Sequence, residues 1–417
     1  MIVNRDILNN LCINITDGEH ASVQNDEAGK YFLLSNKNII NGQIVITNNE
    51  RKISHETFAK INKRTRLEKG DLVISTVGIL GKLAIIKDKN LNYDFQRSVG
   101  MIKCDESILN TNYLYHYLNA DFVQLRLNYL SKGAVQKCLF ISDIKNLEID
   151  FPDILTQQKI ASVLSALDSK IELNNRINAE LEAMAKTLYD YWFVQFDFPD
   201  KHGKPYKTSG GTLVWNEELK REIPEGWELL DLEKVENNIV TGKTPSTTNS
   251  NFYNGNIPFI TIGDVRGNMH IVSTVQKLTK DGANQQANKF IPKGAICVTC
   301  IASPGLVGFA TEDSHTNQQL NSVVCENFEN RYYLYFYLTD YFKYSSAKTG
   351  NTFANMNKGD FSAIQVIKPK KEILVGFSNI LKSSIDKILI NSHENQKLTA
   401  LRDWLLPMLM NGQVKVN

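Results

Sequence analysis

The feature that most constrains this chain is that it repeats itself. Lys69-Gly70-Asp71-Leu72-Val73 returns as Lys293-Gly294-Ala295-Ile296-Cys297, and Ser98-Val99 aligns with Ser322-Val323 at the same offset of 224 residues. Tyr113-Leu114-Tyr115-His116-Tyr117-Leu118 returns as Tyr333-Leu334-Tyr335-Phe336-Tyr337-Leu338, at offset 220. Gly133, Asp143 and Pro152 match Gly350, Asp360 and Pro369, at offset 217. One such match is chance, but a series of them in the same order is not, and a drifting offset means small deletions in loops. At roughly 100–200 residues per domain, 417 residues allow two to four domains.

Both copies have the same internal order. Short β-rich runs broken by Gly and Asn turns come first. An amphipathic helix with the Tyr-Leu-Tyr motif follows, then a Gly-containing loop, a short strand ending at the shared Pro, and a long helix. The spacing Ile160, Leu164, Leu167, Ile171 predicts one long helix over about Thr156 to Phe193. Its seam resumes at Ile177, Leu181, Met184, Leu188 and Tyr191, after three extra residues at Asn174 and Asn175 that act as a stammer. A second long helix is expected from about Lys371 to Leu409, with Leu374, Phe377, Leu381, Ile388, Leu398, Leu405 and Leu409 on its seam. Ser384, Asn391 and Asn395 interrupt that seam with polar groups, which cost stability but fix register. Each helix would be roughly 57 Å long. Each needs a partner, and the other helix, antiparallel, is the simplest one. The fold expected is therefore α+β, with two similar domains joined by two long antiparallel helices in a pseudo-twofold arrangement. The domains would span 1–153 and 223–370, the helices 154–197 and 371–417, and a linker 198–222.

Several function classes are excluded or disfavoured. No apolar run is long enough to cross a bilayer. Met1-Ile2-Val3-Asn4-Arg5-Asp6 has no secretory character, so a cytoplasmic location is expected. Cys297 and Cys300 are the only close pair among six cysteines. They lie in a strand and should point to opposite faces, so buried reduced thiols are expected rather than a metal site. Gly242-Lys243-Thr244 resembles the end of a phosphate loop, but Asn237 stands where that loop needs glycine. No Pro-Pro occurs, the seven His are scattered, and acidic pairs such as Asp168/Glu172 read as solvated helix surface. No catalytic, cofactor or metal site is expected in this chain.

The central segment carries a recognisable pattern: Asp190-Tyr191-Trp192-Phe193, Phe196-Asp197-Phe198-Pro199, Gly203-Lys204-Pro205-Tyr206-Lys207-Thr208-Ser209-Gly210-Gly211, then Ile223-Pro224-Glu225-Gly226-Trp227. Together with the two repeats it resembles the specificity subunit of type I restriction-modification systems, over essentially the whole chain. The first repeat departs from the pattern, lacking a Pro-Glu-Gly-Trp start, so its first strand is expected to be shorter or differently placed. The resemblance implies a non-catalytic reader of a split, asymmetric double-stranded DNA site, with one half bound by each target-recognition domain and the helices setting the spacer. It also implies two methyltransferase subunits that bring S-adenosylmethionine to adenine N6. Restriction subunits would bring ATP and Mg2+. A coiled-coil scaffold that binds only proteins is the rival reading.

Basic charge supports the DNA reading locally, although the whole chain is only +2. Between Arg51 and Lys103 there are 12 Lys/Arg against 5 Asp/Glu, densest at Lys60, Lys63, Arg64, Arg66 and Lys69. Phosphates need such cations. Base edges need Arg, Asn or Gln forks. Candidate loops in matching positions are Lys132, Gly133 and Gln136 in the first repeat and Lys348, Gly350 and Asn351 in the second. Further candidates are Thr241, Lys243, Thr244, Arg266, Gln318, Gln319 and the Asn284-Gln285-Gln286 run. Leu164, Leu167, Ile171, Leu181, Leu188, Leu381, Ile388, Leu398 and Leu405 are expected at the helix–helix contact, and the Tyr-Leu-Tyr stretches in the core.

Overall fold

The computed structural model describes residues 4–47, 49–133, 137–349 and 355–416, without the side chains of 345–349. Met1–Lys170 and Leu398–Asn417 form one compact unit, and Ile171–Lys397 the other.

The first unit is built on a four-stranded antiparallel sheet in the order Cys12–Asp17, Val99–Cys104, Leu72–Ser75, Leu83–Ile85. The second repeats that order with Ile239–Thr241, Leu320–Val323, Ile296–Thr299 and Val307–Ala310, and adds His270–Ile271 at the edge. Leu72 and Ile74 face a core shared with the helices, while Val73 faces a second core. Burial on both faces explains why the central strands, Leu72–Ser75 and Ile296–Thr299, open with continuous apolar runs rather than alternating. Cys300 and Cys297 likewise enter opposite cores of the second unit, and none of the six cysteines is in a disulfide. A smaller sheet follows in each unit: Arg51–Ile53, Tyr31–Leu34, Tyr93–Phe95, and Gln276–Leu278, Tyr253–Ile260, Ser314–Thr316, Phe290–Ile291. The Tyr-Leu-Tyr helices, Thr111–Asn119 and Asn330–Thr349, bury Tyr113 and Tyr333 fully, and each hydroxyl donates to a backbone carbonyl, of Asp150 and Ile367.

The strand pairing corrects two expectations about the repeats. The opening strand of the first repeat, Asn4–Ile7, is as long as Glu228–Asp231 and pairs in the same way, with Glu148–Phe151 as the latter does with Gln365–Lys368. The Ser98-Val99 alignment is also out by three residues. Val99 lies opposite Ser75 and Leu320 opposite Thr299, and Ser75 and Thr299 are equivalent at offset 224. Val99 therefore corresponds to Leu320, and the offset is already 221 there. The deletion falls just before, where residues 86–92 of the first repeat are replaced by the shorter 310–313. Hydrogen-bond register decided this, whereas two common residue types had suggested otherwise.

The first long helix is Ile154–Tyr189, continued by a π turn at Asp190–Val194; the second is Lys371–Met410. Asp153 caps the first, accepting from the Thr156 amide at 3.0 Å and its hydroxyl at 2.7 Å. The helices are antiparallel. In the first unit Ile160, Ala161 and Leu164 share a core with Leu405, Leu406 and Leu409. In the second, Leu181, Ala185 and Leu188 pack with Leu374, Phe377, Leu381, Ile385 and Ile388. Leu167, Ile171 and Leu398 are half-buried. Met184 and Tyr191 are exposed, and Ala185, Tyr189 and Trp192 take their places in the core. A straight helix drifts from a strict seven-residue seam, and the π turn moves it further.

Midway along both helices lies a polar layer. Asn174 donates to Glu394 at 2.8 Å and Asn395 at 2.9 Å, Asn391 donates to Asn178 at 2.8 Å, and Asn395 donates to Asn175 at 2.8 Å. At offset 217, Asn174 corresponds to Asn391 and Asn178 to Asn395. The pairs 174–395 and 391–178 are thus one contact made twice about a local pseudo-twofold axis. Asp168, expected as solvated charge, is instead paired with Arg402 at 2.9 Å.

Residues 198–222, expected as a linker, are packed. Phe198 stacks on Tyr206 at 4.6 Å and on Trp227 at 5.2 Å, and Leu213–Asn216 pairs with Arg221–Pro224 as a hairpin. Aromatic burial outweighs the local Pro and Gly content.

Candidate nucleic-acid interface

Each unit gathers loops at one end of its main sheet, and the same hydrogen bonds hold them in both. Gly18 and Gly242 pass so close to a neighbouring chain segment that an added Cβ would lie 2.1 Å from the Phe95 or Asn317 carbonyl oxygen. Only glycine permits that approach. The next amide, of Glu19 or Lys243, donates to Phe95 at 2.8 Å or Thr316 at 3.0 Å. The Thr76 amide then donates to the Ser98 carbonyl at 3.0 Å, and the Cys300 amide donates to the Gln319 carbonyl at 2.8 Å.

A tight loop follows the central strand in each unit. The Ser75 hydroxyl donates to the Ile79 carbonyl at 2.7 Å and accepts from the Lys82 amide at 2.8 Å. The Thr299 hydroxyl does the same with Ser303 at 2.6 Å and Leu306 at 3.0 Å. Gly78 and Gly81 have positive φ, and so do their counterparts Ala302 (φ 65°) and Gly305. Ala302 holds a left-handed conformation that costs a non-glycine residue roughly 1–2 kcal/mol. Such strain persists where a loop's shape matters. This loop escaped the sequence reading, although Gly81 and Gly305 already stand 224 residues apart.

In the second unit the structure brings several candidates together. The Thr241 hydroxyl donates to Asn321 at 2.6 Å, and the Thr244 hydroxyl donates to the Gln318 side-chain carbonyl. Lys243 is exposed between them. Gln319 is turned inward, its side-chain oxygen accepting from Asn317 at 2.9 Å. Arg266 is exposed and donates to the Ser303 hydroxyl at 3.3 Å, which joins it to the tight loop. Gln286 does not belong to this face, since it is buried. Gln136, Gly350 and Asn351 lie outside the described residues, as does the Lys348 side chain.

In the first unit the basic cluster sits on the helix His55–Thr65 and just beyond it. Ser54 caps the helix by accepting from the Thr57 amide at 3.2 Å, and Arg66 ends it in the left-handed conformation. The buried Asp94 carboxylate anchors it, accepting from Thr65 at 2.6 Å and Asn62 at 3.3 Å. Burial pushes the Asp94 carboxyl above the usual carboxylate range. Lys60, Lys63, Arg66 and Lys69 are exposed. Arg64 behaves differently: its guanidinium donates to the Asp17 carbonyl at 2.9 Å and to the Gly18 carbonyl, and lies 3.6 Å from the Asp17 carboxylate. It braces the loop at Gly18 rather than waiting for a phosphate. Lys132 is exposed with its ammonium 5.5 Å from the Phe140 ring, and Gly133 is exposed beside it.

Among the described residues no group of His, Cys, Asp or Glu could hold a metal ion, and no helix is long and apolar enough to cross a membrane. The family model for the type I restriction modification DNA specificity domain matches twice, at residues 18–183 and 224–400. The chain is 32% identical over 402 residues to the type I restriction enzyme HindI specificity subunit of Haemophilus influenzae, covering 84% of this chain and 87% of that protein. It is 28% identical to the MjaIX specificity subunit of Methanocaldococcus jannaschii, with 89% and 84% covered. Its fold matches the crystal structure of the type I restriction-modification S subunit from M. genitalium with a TM-score of 0.57, at 17% identity and over 98% and 96% of the two chains. With two domain matches, two repeated loop sets and paired antiparallel helices, the chain belongs to the family of type I restriction-modification DNA specificity subunits.

Proposed function

We propose that this chain reads a bipartite, asymmetric site on double-stranded DNA, one half with each loop set, and that it has no catalytic role of its own. Two methyltransferase subunits, carrying S-adenosylmethionine, would methylate adenine N6 at the site so chosen. Restriction subunits that use ATP and Mg2+ would join the same complex. The paired helices would set the spacer between the half-sites. The observation that carries this reading is the loop constellation built twice on the same backbone hydrogen bonds with different side chains: half-buried Glu19 with exposed His20 and Arg97 in one, half-buried Thr244 with exposed Lys243 and Gln318 in the other. A repeated frame with unlike side chains suits two different half-sites.

Footprinting of the complex with its methyltransferase subunits tests the proposal. Two protected patches separated by an unprotected spacer are expected, with affinity that falls steeply with salt. One continuous patch, or none, counts against it. A scaffold that binds only proteins would show no salt-dependent DNA affinity.

A further inference from the structure

The register correction exposes an equivalence between the repeats that the sequence does not advertise. With Val99 equivalent to Leu320 and Phe95 to Thr316, the segments 95–99 and 316–320 correspond residue for residue. Their exposure follows one pattern: both ends are buried, the flanking positions are half-buried, and the central residue alone is exposed. That central residue is Arg97 in the first unit and Gln318 in the second.

The backbone beneath both is pinned. The Gln96 amide donates to Leu34 at 2.9 Å and the Asn317 amide to Ile260 at 3.1 Å, while the Phe95 and Thr316 carbonyls accept from the glycine-adjacent loop. The Arg97 amide donates to Glu19 at 2.9 Å, and the Gln319 amide is held by the Asn317 side chain at 3.1 Å. Among the described residues no carboxylate pairs with the Arg97 guanidinium. Gln318 is oriented by the Thr244 hydroxyl, which uses one lone pair of its carbonyl oxygen. The second lone pair and both amide protons remain for a ligand. A side chain extending from a rigid frame is what base discrimination requires.

We propose that Arg97 and Gln318 are one base-reading position realised twice, Arg97 contacting a guanine in one half-site and Gln318 an adenine in the other. This rests on the DNA-reading function above. Arginine matches guanine O6 and N7 as a bidentate donor; glutamine accepts from adenine N6 and donates to N7.

The test maps methylated sites for the full chain in complex with its methyltransferase subunits, as wild type, Arg97→Gln, Gln318→Arg and Arg97→Lys. Arg97→Gln should move one base pair of one half-site from G·C to A·T, and Gln318→Arg one pair of the other half-site from A·T to G·C, each leaving the opposite half unchanged. Arg97→Lys keeps the cation but loses the fork, so preference at that pair should relax by roughly 5- to 150-fold with assembly intact; this variant decides the matter if Arg97→Gln fails to assemble. A wild-type preference that survives every substitution, or a uniform loss at both half-sites, overturns the assignment alone. A wild-type complex with no two-part preference overturns the proposed function and the assignment with it.

Discussion

Replacing Gly242 with alanine probes the loop frame directly. The new Cβ would lie 2.1 Å from the Asn317 carbonyl oxygen and 2.4 Å from that of Thr316, where real Cβ atoms keep at least 3.0 Å. The Thr316 hydroxyl, 2.3 Å away, can rotate, but both carbonyl oxygens are backbone, so the segments must part by about an ångström. Parting them removes the bonds from Gly242 to Leu320 (3.1 Å) and from Lys243 to Thr316 (3.0 Å). With about 1 kcal/mol net for each bond, and the further cost of strain and of polar groups left unpaired, the loss is about 2–4 kcal/mol. For a unit of this size that lowers its melting temperature by roughly 5–15 °C. Calorimetry of the full chain reads this, and binding to separate half-site mutants of the DNA should show one half-site weakened and the other kept. Gly18→Ala should do the converse. A melting temperature within about 2 °C of wild type, with both half-sites retained, would refute the reasoning.

Other consequences can be measured in the same preparations. Lys63→Ala should lower the slope of log affinity against log salt by about 1, whereas Arg64→Ala should leave the slope in place and weaken one half-site, because Arg64 braces the Gly18 loop; equal slopes lost by both would contradict this. Ala302→Gly should stabilise the second unit by about 1 kcal/mol by relieving left-handed strain, read as a higher denaturation midpoint. Burial pushes the His116 and His270 imidazoles down to about 4. The unfolded chain takes up these protons near pH 6.5 while the folded chain does not, so stability falls as pH drops from 6.5 towards 4. Over pH 6.5 to 5 the pair contributes a loss of about 3 kcal/mol, and a His116→Gln/His270→Gln chain should show a flatter profile in urea unfolding. Asn391→Ala should cost about 1–3 kcal/mol by stranding Asn178, whereas Asn178→Leu/Asn391→Leu together should cost less than the single change; a double-mutant cycle with no coupling would refute the paired layer.

The periodic signals were legible in sequence because they follow from local chemistry. The duplication, the two long helices, the buried Tyr-Leu-Tyr faces and the opposite placement of Cys297 and Cys300 all follow from spacing along one helix or strand. The Asn174 and Asn391 interruptions were visible as polar residues on apolar seams. What stayed hidden depends on which segments meet. Arg64 looked like its basic neighbours, and only the approach of Gly18 gave its guanidinium backbone carbonyls to hold. Met184 fitted a heptad, but a helix that drifts and ends in a π turn buries Ala185 and Trp192 instead. Residues 198–222 read as a tether, because nothing local shows that Trp227 waits to stack on Phe198. The loop at Gly78 and Ala302 and the equivalence of Arg97 with Gln318 needed cross-strand register, since a three-residue deletion between neighbouring strands is invisible until hydrogen bonds align them. Composition and period thus determined which elements form and that they form twice. The tertiary structure decided which side chains are exposed at the loop ends, because that depends on contacts between residues far apart in the chain.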